Sequence, residues 1–251
     1  MRVATVLVPA EITGLASANL SEETCVVFDV LRATSSMVTA LHSGASAIYP
    51  VRSIEEALAL KDSLPDAVLG GERRSDRIPG FEIGNSPAEY TTFAGRTIIS
   101  TTTNGTVALA ACASAGILLA GSFLNMRATA AAVLASRPRQ VRLVCAGTFD
   151  GFAFEDGLAA GCLASLLAAE SPDYADDDAT AAMRILHDAR ADDLESACRA
   201  VGNGRALVAA GREADLAWAL RPDARPVVAR AEADPAGRLR IRACPDFPLE
   251  K

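Results

Sequence analysis

Residues 26–41 read VVFDVLRATSSMVTAL. An apolar run rich in β-branched residues ends on Asp29, and a polar segment then offers Arg32, Thr34, Ser35 and Ser36. From there the apolar spacing becomes that of an amphipathic helix. A strand apolar at every position is one that is covered on both faces, and strand, polar turn and helix together form the repeating unit of an α/β fold.

Outward from this stretch the same order recurs. Strands are expected at Val3–Val8, Cys25–Val30, Ala47–Val51, Ala67–Leu69, Thr97–Ser100, Ile117–Ala120 and Val141–Cys145. Helices are expected between them at Ser35–Ser43, Glu55–Leu64, Gly105–Ser114, Arg127–Ala135 and Glu155–Ala169, the second opened by a capping box of Ser53 and Glu56. The Pro- and Asp-rich stretch Ser171–Asp178 reads as an exposed connection. Helical patterns follow at Ala179–Asp188, Leu194–Val201, Arg205–Ala210 and Glu213–Leu220. A terminal hairpin of Pro226–Ala231 and Arg238–Ala243 turns through Asp234, Pro235 and Gly237. The expected architecture is a layered α/β/α fold with a largely parallel or mixed sheet. Residues 1–171 would form the main portion with the candidate site loops, and residues 179–251 a helical and hairpin portion packed on it as one integrated domain.

Composition narrows the function classes. The chain has 251 residues, half of them hydrophobic, enough for a substantial core. Its formal charge is −7 and no Lys/Arg run forms a basic stripe, so neither nucleic acid nor an anionic membrane is an expected partner. A site for an anion in such a chain needs local compensation by arginine, backbone N–H groups or a metal ion. The six cysteines are widely spaced without a CxxC and read as reduced and mainly buried, Cys145 among them. The apolar stretch of MRVATVLVPAE is too short for a signal peptide, and no segment reaches the length of a membrane span. A cytoplasmic enzyme is expected, and a homodimer, the commonest oligomer.

In open α/β sheets ligands bind beyond the carboxyl ends of the strands, so the junctions there carry the candidate chemistry. At the first, Asp29 can hold a divalent cation while Thr34 and Ser35 at a helix start can receive an anion. Its D-V-L-R-A-T spacing departs from the DxDxT of aspartyl-phosphate phosphatases, because Leu31 stands where the second aspartate would be. The second junction, LGGERRSDRIPGFEIGNSPAEY at 69–90, is a long charged loop whose Arg73, Arg74 and Arg77 supply a local positive field, Arg74 being the one expected to be merely exposed. The third, TIISTTTNGTVALAACA at 97–113, places Thr103, Asn104 and Gly105 at a helix start as a neutral cradle for oxyanions, without the GxxxxGK[ST] of a P-loop. The fourth, LVCAGTFDGFAFEDGLAAG at 143–161, runs through Gly147 to Glu155 and Asp156. Carboxylates from three junctions would make an oxygen-rich site suited to Mg²⁺. His42 and His187 lie outside these junctions and read as structural, Ser35 has no identifiable His/Asp partner, and GNG at 202–204 lacks the third glycine of a dinucleotide motif.

FDVLRATSSMVTAL, GERR with PGFEIGNSPAEY, STTTNGTVAL and CAGTFDGFAFEDGLAAG, taken in this order, closely resemble the 2-phosphosulfolactate phosphatase family over roughly residues 25–161. The tail GREADLAWALRPDARPVV resembles it more loosely. The resemblance implies an α/β fold of the family's own. It also implies a Mg²⁺-dependent phosphatase that converts (R)-2-phospho-3-sulfolactate to 3-sulfolactate and phosphate in coenzyme M biosynthesis. The matching polar positions are Asp29, Arg32, Thr34, Ser35, Glu72, Arg73, Asn85, Ser86, Thr103, Asn104, Gly105, Gly147, Glu155 and Asp156; Arg74 and Trp218 depart from the pattern.

Chemistry then suggests the roles. Asp29, Glu72 and Asp156 would hold Mg²⁺, with Glu155 as substitute ligand or base, and the metal would activate a water for in-line attack. Arg32 and Arg73 would neutralise developing charge. Thr34, Ser35, Ser86 and Gly147 would line the substrate site, while Asn85 and the Thr103–Gly105 amides position the non-reacting acid groups. Two alternatives remain open at this level: a phosphatase for another phosphorylated 2-hydroxy acid, and a non-catalytic anion-binding module.

Overall fold

A computed structural model describes residues 1–245. The chain runs β1 (Arg2–Val6), α1 (Pro9–Leu15), β2 (Glu23–Phe28), α2 (Ala33–His42), β3 (Ala47–Val51), α3 (Ile54–Ser63), β4 (Val68–Arg73) and β5 (Asp76–Arg77). It continues through β6 (Thr97–Thr101), α4 (Gly105–Ala111), β7 (Ile117–Gly121), α5 (Met126–Ser136), β8 (Gln140–Cys145), α6 (Phe154–Glu170) and β9 (Ala175–Asp176). Last come α7 (Asp178–Asp188), α8 (Leu194–Arg199), α9 (Gly202–Ala209), α10 (Glu213–Ala219), β10 (Ala229–Ala233) and β11 (Leu239–Ala243).

The expected layered α/β fold with a mixed sheet is present. In β2, Cys25 and Val27 enter one core cluster while Val26 and Phe28 enter another. That alternation is the period of a strand, and both faces are apolar because α1, α2 and α4 supply core residues on one side and α5 and α6 on the other. A side chain such as Phe28, fully buried, contributes roughly 1.5–3 kcal/mol.

Three expectations need correction. The strand ending at Leu69 runs on to Arg73, because Gly70 and Gly71 keep pairing with Ser100 and Thr101 of β6, and the chain then turns through Arg74 and Ser75 into β5. The strand expected to reach Val8 ends at Val6, since Pro9 starts α1. The connection Ser171–Asp178 contains β9, which pairs in parallel with β1.

The strands are ordered β5-β4-β6-β3-β11-β10-β7-β2-β8-β1-β9. The expected hairpin, formed by β10 and β11, therefore lies inside the sheet. β10 pairs antiparallel with β7, and β11 pairs antiparallel with β3 through Ile241 and Ile48. The strands on either side, β4-β6-β3 and β7-β2-β8-β1, are parallel among themselves, so the two half-sheets run in opposite directions. The carboxyl ends of both halves nonetheless meet at one site, where Asp29 after β2 lies against Gly105 after β6.

Asp234 anchors the hairpin turn. Its Oδ1 accepts the N–H groups of Ala236 at 2.8 Å and Arg238 at 2.9 Å, and its Oδ2 accepts the Arg238 guanidinium at 2.9 Å and the Tyr49 hydroxyl of β3 at 3.2 Å. Burial alone would raise this carboxyl, but the hydrogen bonds outweigh it and hold the pKa at about 2, below the ordinary 3.8. A depressed folded pKa contributes stability that is present above the unfolded value and lost as pH falls through the folded one. Between pH 4 and 2 the melting temperature of the wild type should therefore fall toward that of Asp234→Asn. Parallel melting curves across that window would contradict this linkage.

Candidate active site

The β2–α2 junction is closed by its own polar groups. Thr34 donates its N–H to the Asp29 carbonyl and accepts the Asp29 N–H on its hydroxyl, and Ser35 donates its hydroxyl to the Val30 carbonyl at 2.8 Å. Thr34 and Ser35 are fully buried, so their hydroxyls hold the turn and do not line a pocket. Ser36 donates to the Asn85 carbonyl and ties the 69–90 segment to α2.

This turn presents Asp29 beside Gly105, the first residue of α4. A Cβ at Gly105 would lie 2.5 Å from Asp29 Oδ2, so only glycine lets the two junctions approach this closely. Asp29 Oδ1 accepts the Ala33 N–H at 3.1 Å. Its pKa is pushed up to about 6, first by burial and then by the charge of Glu72, against the N–H groups of Ala33 and Gly105 and the charge of Arg32. Glu72, at the end of β4, accepts the N–H and hydroxyl of Thr103 on Oε1, both at 2.9 Å, and the Ser75 N–H on Oε2 at 2.7 Å. The cradle at residues 103–105 thus holds the protein's own carboxylates. Asn104 donates its amide to the Ala146 and Phe149 carbonyls, fastening the third junction to the fourth.

Asp29, Arg32, Glu72, Arg74, Asn85, Thr103, Asn104, Gly147, Thr148 and Asn203 share one pocket of about 250 Å³. Asp156 is 2% exposed and off its wall. Its Oδ1 accepts the Val30 N–H at 2.8 Å and its Oδ2 the Gly147 N–H at 3.1 Å, so it clamps the end of β2 to the end of β8. Burial, Glu155 and Asp29 push its pKa well above the ordinary range. Gly147 meets this clamp with φ +74, a conformation glycine adopts freely. Glu155 is likewise buried and raised, chiefly by burial, and accepts the Asn203 amide, which also reaches the Thr148 hydroxyl.

The arginines divide differently from expectation. Arg32, 5% exposed, donates Nη1 to Asp215 at 2.7 Å and Nη2 to the Ser75 carbonyl at 2.9 Å, and Asp215 also accepts the Ser86 hydroxyl. Arg73 turns to the Glu72 carbonyl and the Thr101 hydroxyl and is absent from the pocket wall. Arg74, expected to be merely exposed, lines it, because it and Ser75 take the left-handed φ values 54 and 70 at the β4–β5 turn. Asp215 and Asn203 escaped sequence reasoning. Asp215 lies in the loosely matching tail and Asn203 in the GNG set aside as a failed dinucleotide motif; nothing local marks Asp215 as the partner of Arg32, 183 residues away, or Asn203 as that of Glu155, 48 residues away.

No three His, Cys, Asp or Glu side chains among the described residues converge as a ready metal-ligand set. Asp29 and Glu72 nonetheless fit Mg²⁺. They line the same pocket, they repel each other, and Mg²⁺ takes one or two carboxylates while filling its other positions with water and phosphate oxygens. Asp156 fits poorly, because it is buried off the pocket wall that Asp29 and Glu72 line.

The Arg32–Asp215 pair is buried, with side chains 5% and 8% exposed. Removing one partner of such a pair leaves an uncompensated charge, which costs about 3–5 kcal/mol. Denaturant unfolding of Asp215→Leu should show a loss on that scale, and the double variant Arg32→Met/Asp215→Leu should recover much of it. No recovery would mean that the pair is not the source of the loss.

A model of the family described as 2-phosphosulpholactate phosphatase matches residues 11–234. A protein of Carboxydothermus hydrogenoformans named probable 2-phosphosulfolactate phosphatase is 38% identical over 225 residues, 90% of this chain and 92% of that protein. Two further proteins bear the same name. The one from Deinococcus radiodurans is 36% identical over 88% of this chain and 94% of its own, and the one from Synechococcus sp. is 37% identical over 93% and 95%. With nearly the whole chain matched at this level, and with Asp29, Glu72, Arg32 and Arg74 on one pocket, the chain belongs to the 2-phosphosulpholactate phosphatase family and is by that membership a phosphoric monoester hydrolase.

Proposed function

We propose that this chain is a Mg²⁺-dependent phosphatase that hydrolyses (R)-2-phospho-3-sulfolactate to 3-sulfolactate and inorganic phosphate, the step that the family resemblance places in coenzyme M biosynthesis. The observation that carries the reading is the pairing of Asp29 and Glu72 with Arg32 and Arg74 on one small pocket. An anion receptor gains nothing from two adjacent carboxylates unless a cation joins them. Six free cysteines, and the absence among the described residues of a helix long and apolar enough to cross a membrane, support a cytoplasmic enzyme.

Asp29 and Glu72 would hold Mg²⁺, which when bound supplies Lewis-acid polarisation of the phosphoryl group. Arg74, exposed on the wall, offsets charge on the phosphoryl oxygens, and Arg32 does so from a fixed position set by Asp215 and Ser75. Asn85 presents its amide to the substrate's non-reacting acid groups. Glu155 fixes Asn203 at the wall, Asp156 fixes the Gly147 turn, and Thr34, Ser35 and Arg73 hold the junctions in place. Hydrolysis breaks the phosphorus–ester oxygen bond, water supplies the new oxygen on phosphorus, and the released alkoxide takes up a proton.

Phosphate release from the sulfonated ester should require Mg²⁺, stop on chelation, and fall by about 10²-fold or more in Asp29→Asn, the scale of losing one electrostatic contact in a transition state. Mg²⁺ should also raise the melting temperature of wild type and of Asp156→Asn, but not of Asp29→Asn. Unchanged release in Asp29→Asn, or an equal thermal shift in all three proteins, would contradict this metal site. A second comparison separates the arginines: Arg74→Gln should raise KM for the substrate more than Arg73→Gln does. The reverse order would return Arg73 to the pocket.

A further inference from the structure

A second pocket of about 240 Å³ adjoins the first, and Arg32, Ser75 and Asn85 stand in the wall common to both. It contains neither Asp29 nor Glu72, and it adds Arg77, Arg212 and Ser86 together with the carboxylates of Glu89 and Asp215. Arg212 donates Nη1 to the Ser75 carbonyl, the same oxygen that accepts Arg32 Nη2, so two guanidiniums converge on one acceptor. Arg77 reaches the Glu82 carbonyl only at 3.4 Å.

The acids nearby compensate this charge incompletely. Asp215 is committed to Arg32 and Ser86, and Glu89 to the Gly84 N–H. Asp76, the partner of Arg212, is 80% exposed, and a pair at such a rim holds its cation weakly. With Arg32 matched by Asp215, the guanidiniums of Arg77 and Arg212, opposite Glu89 on the same wall, are the charge that a bound anion would satisfy in a chain of net charge −7.

We propose that this pocket is a second anion site, that it binds a tetrahedral oxyanion of the sulfonate, sulfate or phosphate type, and that Arg77 and Arg212 are its deciding residues. Guanidinium forks suit oxygens presented in pairs, as sulfonate and phosphate present them. The oxyanion could be the sulfonate arm of a substrate whose phosphate lies in the first pocket, or free inorganic phosphate after its release. The kinetic part of the inference rests on the phosphatase reading; the binding part does not.

The test uses the full chain with Mg²⁺, as wild type and as Arg77→Gln, Arg212→Gln and Arg74→Gln. Calorimetric titration with inorganic sulfate should weaken at least tenfold in Arg77→Gln and Arg212→Gln. Weakening confined to Arg74→Gln would place sulfate in the first pocket and overturn the proposal. If the sulfonate arm is the occupant, the ratio of kcat/KM for phosphosulfolactate to that for phospholactate should fall at least tenfold in Arg77→Gln. If free phosphate is the occupant, that ratio holds and product inhibition by phosphate weakens tenfold instead. Wild-type values for sulfate affinity, substrate ratio and phosphate inhibition in both Arg77→Gln and Arg212→Gln would also overturn it. Should the wild type hydrolyse no phosphate ester, the phosphatase reading falls and the sulfate titration alone decides the second site.

Discussion

Backbone pairing along β10 and β11 joins two parallel half-sheets that run in opposite directions. β10 takes three residues of β7 as partners, while β11 meets β3 at the single pair Ile241 and Ile48. Without this hairpin β3 and β7 would be open edges, each with a row of unsatisfied N–H and carbonyl groups. The junctions after β2 and β8 belong to one half and those after β4 and β6 to the other. The site therefore depends on strands that enter the sheet from the far end of the chain. The Asp234 turn, gripping Tyr49 of β3, reinforces the weaker of the two seams.

Around the pocket the governing constraint is the cost of burying carboxylates. An acid removed from water must be hydrogen-bonded or become neutral. Each acid here is met by a particular group: Asp29 by the Ala33 N–H, Glu72 by the N–H groups of Thr103 and Ser75, Asp156 by those of Val30 and Gly147, and Glu155 by the Asn203 amide. Those from Thr103 to Glu72 and from Val30 to Asp156 run between junctions, so satisfying these acids also assembles the site. The helix-start amides that sequence reasoning reserved for a ligand are largely used in this way. What is left for a ligand is the guanidinium of Arg74, the edge of Arg32, the Asn85 amide and the remaining lone pairs of the Asp29 and Glu72 carboxylates.

The helices after residue 178 form part of this assembly. Asp215 of α10 neutralises Arg32 and holds Ser86, Asn203 of α9 holds Glu155, and Arg212 grips the Ser75 turn. Arg32 thereby becomes a fixed dipole with its pair, whereas Arg74 has no ion-pair partner among the described residues. The electrostatics of the pocket combine a rigid element from the α/β portion with a partner supplied by the tail.

Much of this was legible in the residues themselves. The alternation in VVF and the change to helical spacing after Asp29 report local forces, namely strand geometry, helix periodicity and the polarity of turns, and those act within a few residues. They were enough to locate β2 and α2, the four junctions and the acids within them. The tertiary structure alone decided where the hairpin inserts, that Arg74 and not Arg73 faces the pocket, that Asp156 clamps two strand ends, and that Asp215 and Asn203 complete the site. The side on which an arginine emerges depends on the left-handed turn at residues 74 and 75, and the partner of a buried charge depends on contacts across more than a hundred residues. Neither leaves a local pattern, because sequence spacing encodes the direction of a side chain only within the element that carries it.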